Sequence, residues 1–309
     1  MTVGHLSRRR FAGAALAALP FMTDMLRADP RPAESGSHLS IAVMIDGRGP
    51  FRFVVDTGAD RSVLADTTAE MLGLRPQGEV MLAGIVRTVS ARTVAVSSLA
   101  FGNQIRRDLI LPVLSRGQLL ADGYLGLDVL DGYRVILDFV AQDLIVTDPQ
   151  PVVFSVYRNP DVLVLPAQGT GGHLRAARCA VDHISVAAFI DTGAETSMGN
   201  EALYRALIAS DPAKTSRSSM VLSGLTGGTA LGRIITPREI QLGRLTVTNC
   251  PMAIADLQVF DIWGLAHRPA LVLGMNWLRR FKRVSIDYGR RELRFELGGL
   301  RYGPVVLTG

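Results

Sequence analysis

Two aspartates in the chain lie in the same short motif, and each follows an apolar segment. The first segment reads Phe-Val-Val-Asp-Thr-Gly-Ala and contains Asp56, and the second reads Ala-Phe-Ile-Asp-Thr-Gly-Ala and contains Asp191. An apolar strand would hold the carboxylate at the edge of a packed core, and the glycine lets the backbone turn sharply towards it. A single Asp-Thr-Gly also serves as an ordinary turn. Two copies favour a pair of carboxylates that act together.

The motif is part of a longer internal repeat. A Leu-Gly turn follows each copy, at residues 125–130 and 273–278, and the closing strands at 135–139 and 284–288 also correspond. Landmarks that recur in the same order indicate a duplicated domain. Each copy predicts a leading hairpin, the motif turn, a short helix, a glycine-rich hairpin, further strands and a second short helix. In the first copy the hairpin is predicted at 39–45 and 51–55 around a turn at 46–50. The short helix after the motif turn is predicted at 66–72 in the first copy and at 200–208 in the second.

The repeat divides the chain into three parts: a leader at 1–30, a first lobe at 31–150 and a second lobe at 151–309. The proline-containing segment 148–151 predicts the boundary between the lobes, and 157–160 is an alternative. The second copy is longer, mostly around 209–219, a polar stretch typical of a surface insertion. The glycine-rich segment 169–172 lacks the Lys-Ser/Thr of a phosphate-binding loop, so it predicts a hairpin tip.

Composition supports an all-β fold and argues against several functions. The 309 residues are 48% hydrophobic, with short Val, Ile and Leu runs broken by Gly, Pro and Asn, which favours strands over long helices. The net charge is +5, and the part of the chain after residue 30 has only a mild basic excess with no Lys/Arg block, so nucleic-acid binding has little support. The histidines show no metal-binding spacing, and we predict neither a metal nor another cofactor.

The N-terminus predicts an export signal. Ser7-Arg8-Arg9-Arg10-Phe11 resembles a twin-arginine motif, and a short apolar stretch follows at 12–22. That stretch is too short to span a bilayer comfortably, although an uncleaved leader would remain as an anchor. The alternative is a chance basic N-terminus before an Ala-rich helix. We therefore expect a periplasmic or extracellular protein with no further membrane insertion.

The two cysteines, Cys179 and Cys250, both lie in the second copy. An exported chain can oxidise them to one disulfide, and two separate buried thiols are the alternative. Neither alternative indicates a cysteine nucleophile.

Two neighbouring carboxylates suit the hydrolysis of a peptide bond. At hydrogen-bonding distance they cannot both ionise cheaply, so they share one proton and titrate as a coupled pair. The ionised member then takes a proton from water while the protonated member donates to the carbonyl oxygen of the scissile bond. A symmetric pair therefore supplies general base and general acid together.

The motifs and the Leu-Gly turns, over residues 39–297, resemble the retropepsin-like aspartic peptidases of the pepsin and retropepsin superfamily, with two units fused in one chain. The resemblance implies an all-β, bilobal acid-protease fold with two pseudo-twofold-related β-barrel lobes and short helices. It also implies an aspartic endopeptidase with Asp56 and Asp191 as catalytic residues and a polypeptide as substrate. The residues expected to support the two active-site loops are Thr57, Gly58, Ala59 and Ser62, with Thr192, Gly193, Ala194 and Ser197.

Substrate-binding residues are also expected from this resemblance. Asp60 would help to hold the substrate backbone, and Glu195 occupies the same position in the second copy. Hairpin flaps are expected at 83–86 and 223–228, with Gly84, Ile85, Gly224 and Leu225 against the substrate. Glycine-rich tips suit a mobile lid, and ordinary exposed hairpins are the alternative. The flap tyrosine of pepsin-like enzymes has no counterpart in the chain.

Other notable side chains are predicted to be structural. We expect Asp138 and Asp287 to accept hydrogen bonds in turns, Asp128 and Asn276 to hold the loops beside the site, and 277–281 to pack in the core. Alternative functions are a catalytically silent peptide-binding or scaffold protein and a processing protease with few substrates. Because both aspartates belong to one chain, catalysis requires no dimer, and we expect a monomer.

Overall fold

The computed structural model describes residues 39–149, 161–169, 173–216, 218–298 and the backbone of 305–307. These residues form mostly β-strands with a few short helices. Among the helices described, none is long and apolar enough to cross a membrane. The predicted leader at 1–30 and both candidate lobe boundaries, 148–151 and 157–160, lie wholly or partly outside the described residues, so the leader and the boundaries stay predictions.

The first lobe is a closed β-barrel. Six strands follow one another around a ring in the order β1-β2-β7-β3-β6-β5, and β5 pairs back with β1. A seventh strand, β4, extends beyond the ring on β5 and forms a long hairpin with it. Strands of this lobe are β1 (Ser40–Ile45), β2 (Arg48–Val55), β3 (Val63–Ala65), β4 (Pro76–Ala83), β5 (Thr88–Phe101), β6 (Gln104–Leu114) and β7 (Gly123–Leu125).

The second lobe repeats this order with two of its long strands broken. The counterpart of β5 is divided at Pro237, and the counterpart of β6 is divided at Pro251. Proline has no N–H to donate to a neighbouring strand, so each break falls where the chain cannot continue the ladder. Strands of this lobe are β11 (Arg175–Val181), β12 (Ile184–Ile190), β13 (Met198–Gly199), β14 (Ser219–Ser223), β15 (Thr229–Ile235), β16 (Glu239–Leu242), β17 (Leu245–Thr248), β18 (Met252–Ile254), β19 (Ala270–Leu273) and β22 (Val305–Leu307).

A five-stranded antiparallel sheet joins the two lobes in the order β9-β8-β20-β21-β10. Its central ladder pairs one copy with the other, with Ile136 opposite Ser285. Arg283 reinforces the junction through an ion pair with Asp138. The strands are β8 (Arg134–Asp138), β9 (Asp143–Thr147), β10 (Val162–Gln168), β20 (Arg283–Asp287) and β21 (Glu292–Glu296).

The helices are short and follow the repeat. Helix α4 confirms the prediction in the second copy, although it begins one residue later and ends two later than predicted. Its N-cap is Asn200, whose side chain accepts a hydrogen bond from the Leu203 amide at 2.9 Å. The helices are α1 (Asp66–Leu72), α2 (Arg116–Leu119), α3 (Leu127–Leu130), α4 (Glu201–Ser210), α5 (Gln258–Ile262) and α6 (Met275–Leu278).

Two details of the prediction are corrected. The first hairpin does not turn over 46–50: Asp46 and Gly47 alone make the turn, because both adopt left-handed backbone angles that suit a two-residue hairpin connection. The stretch 209–219 is also more than a surface insertion. Its 3₁₀ turn, Pro212–Lys214, is anchored by an ion pair between Lys214 and the buried carboxylate of Asp182.

One large apolar core extends through both lobes and the sheet that joins them. It contains Trp277, Leu278 and Phe281, as predicted. Cys179 and Cys250 are both buried and present as free thiols, and burial raises the pKa of the Cys179 thiol to about 12. Two smaller apolar clusters lie apart from this core, one in each lobe.

Candidate active site

Each motif aspartate lies at the end of a strand, held by the same contact in both lobes. Strand β2 runs parallel to β7, and the Asp56 amide donates to the Leu125 carbonyl at 2.9 Å. Strand β12 likewise runs parallel to β19, and the Asp191 amide donates to the Leu273 carbonyl at 3.1 Å. The Leu-Gly turn of each repeat therefore positions the aspartate of the same repeat.

The two motif loops meet at the lobe boundary. A Cβ added to Gly58 would lie 2.6 Å from the carboxylate carbon of Asp191, and one added to Gly193 would lie 2.5 Å from that of Asp56. Real Cβ atoms do not approach other heavy atoms so closely, so each glycine is required by the aspartate of the opposite lobe. Both carboxylates are nearly buried, with Asp56 at 6% and Asp191 at 8% exposure.

Two threonines, one in each motif, join the two motif loops through four hydrogen bonds. The Thr57 hydroxyl donates to the Ile190 carbonyl at 2.9 Å, and the Thr192 hydroxyl donates to the Val55 carbonyl at 2.6 Å. Each threonine amide donates to the hydroxyl of the other threonine, at 3.1 Å in both directions. Every one of these bonds crosses from one lobe to the other. The network therefore fixes the separation of the two aspartates.

The surroundings favour a pair that holds one proton. Burial raises the pKa of Asp56 well above its ordinary value, and repulsion from Asp191 and a hydrogen bond between the two carboxyls raise it further. The Gly58 amide opposes this by donating to Asp56 at 2.9 Å, and the Gly193 amide donates to Asp191 at 2.8 Å. These amide donors stabilise one ionised carboxylate, but ionising the second carboxyl as well costs free energy because the two negative charges repel each other.

The loop-supporting serines lie where the repeat predicts. Ser62 donates to Asp128 at 2.7 Å and accepts from the Gly126 amide at 2.9 Å. In the second lobe Ser197 donates to Asn276 at 2.7 Å, and the Gly274 amide donates to Ser197 at 3.1 Å. Asp128 and Asn276 thus hold the motif loops, as predicted.

Asp60 and Glu195 occupy equivalent positions and have different partners. Asp60 reaches the second lobe, where its carboxylate lies 2.7 Å from His173 Nε2, and this hydrogen bond lowers the pKa of Asp60. Glu195 stays within its own lobe and forms a two-point ion pair with Arg279 at 2.6 and 3.1 Å. A role for either residue in substrate binding stays a prediction.

Both expected flaps are hairpins, with tips that differ slightly from the predicted segments. Ala83 and Ser223 are the last residues of β4 and β14, so the turns are 84–87 and 224–228. Leu225, at the second tip, packs against the apolar cluster of the first lobe. Ile85, at the first tip, packs against the cluster of the second lobe. Each tip therefore extends across the boundary.

Several residues around the pair were missed by sequence reasoning. Tyr124 and Tyr288 are buried beside the site, and burial together with the nearby Asp56 raises the pKa of both phenols. Their positions beside the landmarks of the repeat were a signal, since Tyr124 directly precedes the first Leu-Gly turn and Tyr288 ends the closing segment 284–288. His173 and Arg87 lacked any such signal, because their partners lie in the other lobe.

Among the described residues, no group of three or more His, Cys, Asp or Glu side chains is arranged to hold a metal ion.

The family comparison agrees with this geometry. A family model described as aspartyl protease matches residues 41–129 and 177–277, which together make up more than half of the chain. The chain therefore belongs to the aspartyl protease family, with one match in each lobe. This family acts on polypeptides as a hydrolase. No curated protein gave a significant match.

Proposed function

We propose that the chain is an aspartic endopeptidase in which Asp56 and Asp191 together activate water against a peptide bond. The observation that carries this proposal is the contact of two buried carboxyls from two lobes, each packed against the glycine of the opposite motif. Neither lobe alone holds both groups. One chain supplies the complete pair, so we also propose that the active species is a monomer.

The reaction follows from the shared proton. The ionised carboxylate takes a proton from water, and the water oxygen bonds to the carbonyl carbon of the scissile peptide. At the same time the protonated carboxyl donates to the carbonyl oxygen, which gives a tetrahedral intermediate with two hydroxyls. As this intermediate collapses, the C–N bond breaks, the carboxyl that took the water proton gives it to the leaving nitrogen, and the other carboxylate takes a proton from one diol hydroxyl. The pair returns to its singly protonated state, and no covalent enzyme intermediate forms.

Cleavage of a mixed peptide library by residues 31–309 at pH 3 to 8 tests the proposal. We expect wild-type cleavage to disappear in both Asp56→Asn and Asp191→Asn. Asp108→Asn is the matched control, since Asp108 is exposed and its left-handed backbone also suits asparagine. Cleavage that survives both motif substitutions would reject the pair. Tight peptide binding by a folded wild type that cleaves nothing would favour the binding-protein alternative.

We further propose that the leader directs the chain out of the cytoplasm. The support is the sequence pattern at 1–30 alone. Cell fractionation of wild type beside an Arg8→Lys, Arg9→Lys double variant tests this, because the twin-arginine pathway requires the guanidinium pair. Retention of the variant in the cytoplasm is the expected result, and equal export of both forms would reject the proposal.

A further inference from the structure

A groove on the second lobe is lined by three arginines. Arg175 and Arg178 belong to β11, and Arg268 lies two residues before β19. The floor is made of small side chains, which include Ser185 and Ala187 of β12. We call this cavity, of about 440 Å³, the arginine groove. Among the described residues, no Asp or Glu lines it.

The groove floor lies on the face of β12 that leads to the active site. Side chains alternate along this strand: Ser185, Ala187 and Phe189 are exposed or half-buried, and the residues between them are buried. The Asp191 amide donates to the Leu273 carbonyl at 3.1 Å, so the ladder and its alternation continue to the aspartate. The groove and Asp191 therefore share one face of the strand, with Phe189 between them.

On one side the floor is flanked by β11. Arg175 lies opposite Phe189 in the β11–β12 ladder, and residues directly opposite each other share a face. The register then shifts between Ala176 and Cys179, which marks a β-bulge that contains Arg178. Arg178 has a left-handed backbone, with a φ of 61°, and a bulge redirects a side chain. Both arginines consequently line the groove from the β11 side.

On the other side the floor is flanked by the segment before β19. Strand β19 runs parallel to β12, with Ala187 opposite Ala270. Arg268 is two residues before Ala270, so it lies at the level of Ser185. Its backbone is held in place, because the Arg268 carbonyl accepts a hydrogen bond from Asn200 Nδ2 at 2.8 Å. The groove thus has arginines along both edges of a floor of small side chains.

The groove carries positive charge without an acid among the described residues that line it. Arg178 and Arg268 are exposed, and Arg175 is half-buried. Arg175 donates to the neutral side-chain oxygen of Gln168 at 3.4 Å. Guanidinium groups gathered in a concave site attract anions. A guanidinium also binds a carboxylate through two parallel hydrogen bonds, so the arrangement suits the side chains of Asp and Glu.

The groove lies within reach of a substrate held at the aspartate pair. Ala187 and Ser185 precede Asp191 on the same strand. Since a strand rises about 3.3 Å per residue, the groove floor is about 13–20 Å from the aspartate along β12. An extended polypeptide covers that distance with about four to six residues.

We propose that the arginine groove binds acidic side chains of the polypeptide substrate, so that the protease prefers chains with Asp or Glu about four to six residues from the cleaved bond. The inference rests on the proposed function, because it names the substrate class of that site. Arg175, Arg178 and Arg268 are then specificity-determining residues. They contact the substrate away from the reacting atoms, so they act on KM and leave kcat unchanged.

Peptide binding without cleavage tests the groove directly. A labelled acidic peptide of Asp and Glu and a neutral peptide of Asn and Gln, equal in length, are each titrated with the protein. We expect the triple variant Arg175→Gln, Arg178→Gln, Arg268→Gln to bind the acidic peptide about tenfold more weakly than wild type, because each exposed ion pair contributes up to about fivefold. Binding of the neutral peptide should be weak and unchanged. Added salt should weaken acidic-peptide binding to wild type, since it screens exposed charges.

A second triple variant controls for net charge. Arg75→Gln, Arg107→Gln, Arg205→Gln removes three exposed arginines that lie outside the groove. It should bind the acidic peptide as wild type does. Equal weakening in both triple variants would show attraction by net charge alone and would overturn the proposal.

Paired substrates provide the functional test. The members of each pair share a cleavable core and carry either acidic or amide residues about four to six positions from the scissile bond, on its N-terminal or its C-terminal side. We expect wild type to show an about tenfold lower KM for the acidic member on one of the two sides, and the groove variant to lose this difference with kcat unchanged. Equal KM values for both members on both sides would overturn the proposal, even where the acidic peptide binds.

The outcomes separate this proposal from the proposed function. Cleavage by wild type without any preference for acidic chains would reject the groove and leave the endopeptidase intact. Failure of wild type to cleave anything would reject the proposed function, and the binding experiment would still decide whether the groove takes acidic chains. Tighter binding of a single-stranded oligonucleotide than of the acidic peptide, lost in the groove variant, would assign the groove to nucleic acid and overturn the proposal.

Discussion

The two motif loops agree closely, whereas the outer strands of the two lobes differ. Between the motif loops, each hydrogen bond has its counterpart: Thr57 and Thr192 exchange amide-to-hydroxyl bonds of 3.1 Å in both directions. Further out, the first lobe has a continuous β5, whereas its second-lobe counterpart is broken at Pro237. A residue that bonds to its own counterpart in the other lobe cannot be substituted alone without losing that partner. Residues in the outer strands have no such restriction.

Alanine at the motif glycines should have the largest effect, and it should be nearly equal in the two lobes. Gly58→Ala and Gly193→Ala each place a Cβ 2.5–2.6 Å from the carboxylate carbon of the opposite aspartate. We expect cleavage to fall by at least about 100-fold, because the added Cβ would displace the opposite carboxylate and a shift of about 1 Å disrupts the geometry of the pair. Gly117→Ala, whose Cβ would make an ordinary 3.6 Å contact, is the control. A large difference in cleavage between Gly58→Ala and Gly193→Ala would show that the two motif loops are not equivalent.

Removing a charge from the pair should stabilise the protein at neutral pH. Because the folded pKa of Asp56 is raised, the folded state binds more protons than the unfolded state, and stability falls as the pH rises through that range. Asp56→Asn avoids this loss of stability, which in wild type amounts to about 1.4 kcal/mol for each unit by which the pKa is raised. We expect its melting temperature to exceed that of wild type at pH 7 and to match it near pH 3. A melting temperature of Asp56→Asn below that of wild type at pH 7 would contradict the claim that ionising both carboxyls destabilises the fold.

Replacing the loop serines should reveal the difference between Asp128 and Asn276. Ser62 donates to a carboxylate and Ser197 to a neutral amide, and bonds to charged groups are stronger. We expect Ser62→Ala to cost about 1.5–3 kcal/mol and Ser197→Ala about 0.5–1.5 kcal/mol in urea unfolding. Asp128→Asn should bring the two costs together. Equal costs in the wild-type background would show that the charge is unimportant there.

The smallest effect is expected at the exposed acids. Asp60→Asn and Glu195→Gln should each change stability by no more than about 1 kcal/mol, since both side chains are largely exposed. The effect of Asp60→Asn should depend on pH. The pKa of Asp60 is lowered in the folded state, so its contribution is present above the unfolded pKa and is lost as the pH falls through the folded value. Melting curves between pH 2 and 6 measure this, and a constant Asp60→Asn difference would contradict it.

The sequence predicts the parts of this molecule that are repeated and local. The motif strands, the Leu-Gly turns and helix α1 at Asp66–Leu72 agree with the structure because hydrophobic pattern and turn residues determine them within a few positions. The lobe order and the two β-rich lobes follow from the duplication itself. The meeting of Asp56 with Asp191 was likewise expected, since pseudo-twofold lobes bring equivalent loops together.

Side-chain contacts that depend on how the two copies are placed against each other were not predictable. The ion pair of Arg283 with Asp138 depends on the register of β8 with β20, and the repeat does not specify that register. The contact of His173 with Asp60 and that of Arg87 with Thr226 depend in the same way on how the lobes are placed. A one-dimensional pattern carries no information on such distances.

The most direct test of the central claim is the pKa of Asp56, measured from the ¹³C chemical shift of its carboxyl in wild type and in Asp191→Asn. Burial raises this pKa, and repulsion from Asp191 and the hydrogen bond between the two groups raise it further. We expect the pKa to lie above 3.8, the ordinary value, in wild type, and to fall in Asp191→Asn because the second charge is gone. An Asp56 pKa that is the same in both proteins would show that the two carboxyls are not a coupled pair.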